Sequence, residues 1–261
     1  MNNVNKTLYI PLYGKSYVSK KGIILNDKLA ENIWEKEAFP LRGKAKSKWL
    51  AYYMGMRSRV FDDWVISAVS EAPDSAVIHI GCGLDSRALR VGVPYSLWYD
   101  VDFPEVIAER RKHYEESESY KMIEGDARES AWLDKISPSR SAIIIMEGVS
   151  MYLRPEETAA LFLSIGKKFE NVRVLVDCYS AFAAKMSKYK NPINTVGVTE
   201  VFGIDEPEIL AGGTKFSFIK EHEITPQELI DSLKGSERAI FKRLYGGRFA
   251  KKLYKLYEYS T

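Results

Sequence analysis

From Ala76 to Asp177 short apolar runs alternate with charged, amphipathic stretches, and that alternation restricts the fold more than any other feature of the chain. Ala76-Val77-Ile78-His79-Ile80, Leu97 to Val101, Met122-Ile123, Ala142 to Met146 and Arg173 to Asp177 have the length and near-continuous apolarity of strands buried on both faces. Pro104 to Ser117 and Pro155 to Phe169 read as the helices between them. This order predicts an α/β chain with a Rossmann-like, doubly wound, mostly parallel sheet.

The flanks are helical in pattern. Asp27 to Glu37 places Leu29, Ala30, Ile33 and Trp34 at helical spacing, and Ser47 to Ser70 repeats this with Trp49, Tyr53, Met56, Val60, Phe61, Trp64 and Val65. Residues 1–72 therefore read as a helical cap, 73–180 as the sheet core, and 181–261 as a helical insertion after the fifth strand, a late strand and C-terminal helices, all within one domain over 1–261. Asn191-Pro192, Gly203, Pro207 and Gly212-Gly213 break up the insertion, Phe216 to Ile224 alternates as a strand, Pro226 opens a helix, and the basic, aromatic tail from Phe241 reads as helical.

A formal charge of +3, from 38 basic and 35 acidic side chains, is too small to imply a nucleic-acid surface. Cys82 and Cys178 cannot build a disulfide framework and lack ligand-spaced neighbours, so no metal is expected. Met1-Asn2-Asn3-Val4-Asn5-Lys6 carries no apolar segment of a signal peptide and no run is long enough to span a membrane, which suits a cytoplasmic protein without a membrane partner.

Four segments carry the candidate chemistry. Gly81-Cys82-Gly83-Leu84-Asp85-Ser86 stands at the first strand-to-helix turn, where glycine lets backbone approach a nucleotide-like ligand. The third glycine of a dinucleotide loop is absent, and Asp85 would repel a pyrophosphate, so an NAD-dependent oxidoreductase is the weaker alternative. Asp102, preferred to Asp100, ends the second strand and can accept both hydroxyls of a ribose. Gly125-Asp126-Ala127-Arg128 follows the third strand and reads by itself as a simple turn, or as a carboxylate accepting from an adenine amino group, while Glu147 ends the fourth strand, at the sheet edge where open α/β sheets bind ligands.

Together these segments resemble the leucine carboxyl methyltransferase family, which includes O-methyltransferases of polyketide biosynthesis. The resemblance runs from about Thr7 to Asp177 and is most specific in Gly-Cys-Gly-Leu-Asp-Ser-Arg, Asp-Val-Asp-Phe-Pro-Glu-Val-Ile and Glu-Gly-Val-Ser-Met-Tyr-Leu. It implies a class I methyltransferase that uses S-adenosylmethionine (SAM) and releases S-adenosylhomocysteine. SAM would be held by the loop Gly81, Cys82, Gly83 and Asp85, by Asp102 on the ribose, by Asp126 and Ala127 near the adenine, and by Glu147 beneath the methionine part. The resemblance also implies an arginine on the helix before the first strand, Arg57 rather than Arg59, meeting the SAM carboxylate and, in carboxyl methylation, the substrate; Lys15 matches a lysine that contacts SAM.

The sequence departs from the family at His79, two positions before the first loop glycine, which reads as a neutral imidazole packed in the sheet. The expected reaction is methyl transfer to a carboxylate or hydroxyl oxygen of a small molecule or a protein C-terminus; a non-catalytic SAM-binding protein is the other alternative. A carboxylate needs no base, whereas a hydroxyl does. Arg57, Tyr152 and His222 are the candidate catalytic groups, and His113, among Arg110, Arg111 and Lys112, reads as a solvated surface residue. The chain lacks the Asn-Pro-Pro-Tyr signature expected of nucleic-acid methyltransferases, having Glu147-Gly148-Val149 in that place.

Overall fold

The computed structural model describes residues 5–190, 193–194, 198 and 200–261; Met1 to Val4 and the Asn191-Pro192 turn lie outside the described residues. The chain opens with helices α1 (Tyr9–Lys20), α2 (Lys28–Glu37) and α3 (Lys48–Glu71). Asp27 caps α2 by accepting from the Ala30 amide at 2.9 Å, and Ser47 caps α3. The helix α1 has no counterpart in the hydrophobic periodicity, because Lys15, Ser16 and Ser19 are buried along with Leu12 and Val18. It packs closely on α3 through two glycines: a Cβ on Gly14 would stand 2.7 Å from the Met54 Cβ, and one on Gly55 2.8 Å from Val18.

The core follows as β1 (Ala76–Ile80), α4 (Arg87–Arg90), β2 (Leu97–Asp102), α5 (Pro104–Arg110), β3 (Tyr120–Glu124), β4 (Ser141–Met146), α6 (Pro155–Lys168) and β5 (Asn171–Tyr179). The rest comprises α7 (Ala181–Lys190), α8 (Glu208–Ala211), β6 (Ser217–Glu221), α9 (Gln227–Asp231), α10 (Gly235–Tyr245), α11 (Arg248–Leu253) and β7 (Tyr254–Ser260). The seven strands lie in the order β3-β2-β1-β4-β5-β7-β6, with β1 to β5 parallel and β7 antiparallel to both β5 and β6. The doubly wound, mostly parallel sheet is thus as expected. Alternate residues feed two cores: Val77, Ile143, Ile145 and Leu175 pack with Phe61, Trp64 and Val65 of α3, whereas Ile78, Ile144, Met146 and Val174 pack with Leu161, Phe162 and Ile165 of α6.

Three expectations need correction. The tail is not helical to its end, because Tyr254–Ser260 forms β7 between β5 and β6, where Tyr257 and Tyr259 are buried. Tyrosine suits a pleated, buried surface, and burial outweighed the basic, helix-like composition. The helix after Pro104 stops at Arg110 instead of reaching Ser117, and Pro226 caps α9 from outside rather than forming its first turn.

Candidate active site

The strand order reverses between β1 and β4, so their connections leave toward opposite sides and open a crevice over the strand ends. The crevice belongs to a cavity of about 790 Å³, within the range of small-molecule and cofactor sites. Gly81, Cys82, Gly83, Asp85, Asp102, Asp126, Ala127, Glu147, Arg57, Lys15 and Tyr152 all line it.

The glycine loop approaches the cavity for steric reasons. Gly81 has φ +67° and a Cβ there would meet Val149 at 2.2 Å; Gly83 has φ +51°. The Gly81 amide donates to the Val101 carbonyl at 2.8 Å and the Gly83 amide to Asp102 Oδ2 at 2.8 Å, which ties the loop to the end of β2. Asp102 Oδ1 accepts from its neighbour's amide, that of Phe103, at 2.8 Å. Burial nevertheless pushes the Asp102 pKa up to about 6, outweighing the two amide donors and the Arg110 charge that pull it down. Asp100 is a different kind of group, fully buried and bound by Arg110, Tyr120 and the Trp98 indole, and it does not line the cavity.

Beneath the crevice runs a connected set of buried charges. Arg57 Nε donates to Glu147 Oε1 at 3.0 Å, and its Nη1 lies 2.8 Å from the Tyr254 hydroxyl and 3.1 Å from Asp177 Oδ2. Arg87, fully buried, reaches Glu147 Oε2 with one nitrogen and Asp62 with another at 2.7 Å. Asp85 takes Lys15 at 2.8 Å and Arg90 at 2.9 Å, and Arg90 continues to Asp27 and Asp62. Burial works against ionisation of Glu147, but Arg87 and Arg57 outweigh it and hold its pKa at about 2. Asp85 likewise sits well below the usual carboxylate range, burial being overcome by Arg87, Lys15 and Arg90. Asp177 shifts the other way: burial outweighs Arg57 and raises it. Lys15, Arg57, Arg87 and Arg90 thus face Asp27, Asp62, Asp85, Glu147 and Asp177, four cations against five carboxylates.

The remaining candidates divide. Asp126 is paired with Arg128, which offsets the effect of burial and leaves its pKa lowered. Tyr152 lines the cavity with its phenol pushed up by burial, and Arg59 lies outside, half-exposed on Asp63 at 2.8 Å. His222 does not reach the cavity; it bonds Glu258 of β7 at 2.7 Å, because β7 stands between it and the strand ends. His113 is not solvated: its side chain is 4% exposed and stands 3.0 Å from Glu37 of α2. His79 does lie in the sheet, with Nδ1 3.6 Å from Asp100, and burial lowers its pKa.

A family model described as leucine carboxyl methyltransferase matches residues 8–166. The chain belongs to this family. It is a methyltransferase dependent on SAM, and the family match ends just before β5. It is 28% identical over 215 residues to the tetracenomycin polyketide synthesis O-methyltransferase TcmP of Streptomyces glaucescens, covering 80% of this chain and 78% of that one. It is 26% identical to the SAM-dependent methyltransferase dpfgK of Gibberella zeae, over 64% of this chain and 61% of the other. The magnesium protoporphyrin IX methyltransferase of Synechocystis PCC 6803, solved with bound SAH, shares the fold with a TM-score of 0.52 at 12% identity, over 94% of this chain and 96% of that one.

Sequence reasoning assigned no role to Arg87, Asp62, Asp177 or Tyr254. Arg87 closes the quoted Gly-Cys-Gly-Leu-Asp-Ser-Arg motif, and Asp177 stands one step beyond Val176, the register partner of Met146, hence beside Glu147. Both signals were present in the strand-end pattern. Tyr254 carried none, since its place depends on β7 entering the sheet.

Proposed function

We propose that this methyltransferase transfers the methyl group of SAM to the carboxylate of a small apolar acid, giving a methyl ester. The chain's own residues fit SAM on three counts. The Gly81 position leaves no room for a side chain where backbone must come close, and each Asp102 oxygen accepts one amide and keeps a lone pair for a ribose hydroxyl. The buried network beneath carries one carboxylate in excess, which suits a ligand of net positive charge. In this reading Gly81, Cys82, Gly83 and Asp85 form the loop, Asp102 takes the ribose, Asp126 and Ala127 flank the adenine, and Glu147, Arg57 and Lys15 serve the amino-acid end.

When bound, SAM supplies an electrophilic methyl group on a sulfonium. The protein's part is to hold the acceptor oxygen in line and keep water out. The observation that carries the choice of acceptor is the makeup of the outer wall. The helices α7, α10 and α11 offer Phe182, Ala183, Met186, Leu244, Tyr245, Phe249 and Leu253 to the cavity, and no histidine or carboxylate. His113 and His222 are engaged away from the cavity, with Glu37 and Glu258, and His79 lines only its inner, sheet side, flanked by Asp100 and Arg87. A hydroxyl acceptor would need a base to take its proton, whereas a carboxylate arrives ionised. The S. glaucescens relative, named an O-methyltransferase, supports oxygen as the acceptor atom.

The test is transfer of labelled methyl from SAM to a panel of apolar carboxylic acids and matched phenols. Label released by mild alkali marks an ester, the expected product. Turnover with phenols to alkali-stable ethers, and none with acids, would sink the carboxylate reading; binding of SAM with no acceptor-dependent turnover anywhere would favour a binding protein.

A further inference from the structure

We propose that the rim of the cavity mouth docks on an anionic lipid bilayer, with the helices α7, α10 and α11 facing the membrane. The inference is independent of which acceptor is methylated. Around the mouth, Phe182 is 55% exposed, Met186 50%, Leu244 51% and Phe249 67%. The Phe182 and Phe249 rings meet edge to face at 6.3 Å, so α7 and α11 form one continuous lip. These side chains give up apolar area to water around an opening, where a soluble surface normally keeps such groups scattered.

Charge marks the partner. Lys185, Lys242, Arg243, Arg248 and Lys252 are exposed on the same three helices, and among the described residues none has a carboxylate within ion-pair distance. No acidic residue lies on α7 or α11; the one on α10, Glu237, is turned to Lys48, Lys21 and Tyr52. The whole chain carries only +3, so these cations are concentrated on the three helices that wall the cavity's outer side. Protruding aromatic and aliphatic groups interleaved with lysine and arginine match a membrane interface, where apolar tips enter the acyl boundary while ammonium and guanidinium groups meet lipid phosphates. A purely acidic polymer would satisfy the cations and leave the lip in water.

Co-sedimentation with phosphatidylcholine vesicles, with and without phosphatidylglycerol, tests this on the intact chain. Binding is expected to the anionic vesicles alone and to fall with salt. The triple variant Lys242→Gln, Arg243→Gln and Lys252→Gln is expected to bind about a hundredfold more weakly, since each cation near an anionic surface contributes a factor of about five. SAM affinity in that variant stays unchanged, because none of the three residues lines the cavity. Phe249→Ser, with its circular dichroism intact, is expected to lose about tenfold of the vesicle binding. Failure to sediment with anionic vesicles overturns the proposal. So does full retention of binding in either variant, or competition by a polyanion such as poly(U) that the Phe249→Ser change does not alter, which would mean a general polyanion surface.

Discussion

The two halves of the cavity are built on opposite principles. The inner half stands on strand ends, and its polar groups are held from both sides: Glu147 between two arginines, Asp85 between Lys15 and Arg90, Asp102 by two backbone amides. The outer half stands on α7, α10 and α11 and presents apolar side chains that are still half-exposed. The first is preorganised for one ligand, because moving any member uncovers a buried charge. The second excludes water by area alone and tolerates exchange of its side chains. Under the proposed function the contrast assigns donor recognition to fixed polar groups and acceptor recognition to shape and apolar surface.

The sharpest way to break the contrast is to cut the inner network. Arg87→Met keeps much of the volume but takes from Glu147 and Asp62 one of the two arginines that hold each of them. Removing one member of a buried ion set typically costs about 3–5 kcal/mol, and urea unfolding is expected to show a loss of that order. Arg59→Ala, on the exposed face of α3, is the control and is expected to stay within about 0.5 kcal/mol. Similar losses in the two variants would mean the buried set is not the tighter half.

A smaller effect sharpens the donor side. Asp102 has its pKa raised to about 6, so above that pH it offers an ionised carboxylate to a donor's hydroxyls, and below it a neutral acid that accepts more weakly. SAM affinity measured by calorimetry is expected to fall as pH drops through about 6, and Asp102→Ala to weaken binding by about 1–3 kcal/mol and abolish that dependence. The sign for the ligand-free protein is opposite. A carboxyl raised above its unfolded value adds stability that is full below the unfolded pKa and is lost as pH rises through 6. A flat affinity profile across that range would remove Asp102 from the site.

The same contrast explains how much could be read from the sequence. The strand ends were legible because the chemistry sits in contiguous motifs: a glycine turn after an apolar strand, then single carboxylates closing the next strands. Arg57 was legible only through the resemblance, since an arginine among Met56, Ser58 and Arg59 has no spacing of its own. The helix α1, within the expected cap, gave no periodicity of its own because Lys15, Ser16 and Ser19 are buried, Lys15 against Asp85. The final strand was missed because Tyr254, Leu256, Tyr257 and Tyr259 gain their burial from two strands far away in sequence, β5 and β6, which no local pattern announces. His222 was drawn toward the site for want of that strand. The outer wall stayed illegible for a related reason: helices as short as α11 have too few turns to show a face.

The mildest expected effect falls on that outer wall. Phe182 lies on α7 and lines the cavity, yet more than half of it is exposed, so truncating it to alanine opens no sealed void in the core. Folding stability is then expected to change by less than about 0.5 kcal/mol, as for other exposed positions. An apolar acceptor seated against the ring loses contact area instead, worth about 1 kcal/mol or a five- to tenfold rise in acceptor KM. The groups proposed to hold the donor stand on the far side of the cavity, so the KM for SAM is expected to stay constant. Steady-state kinetics with each substrate varied in turn separates the two. A rise in the SAM KM with the acceptor KM unchanged would place the ring against the donor, and the division of the cavity into a polar inner half and an apolar outer half would have to be redrawn.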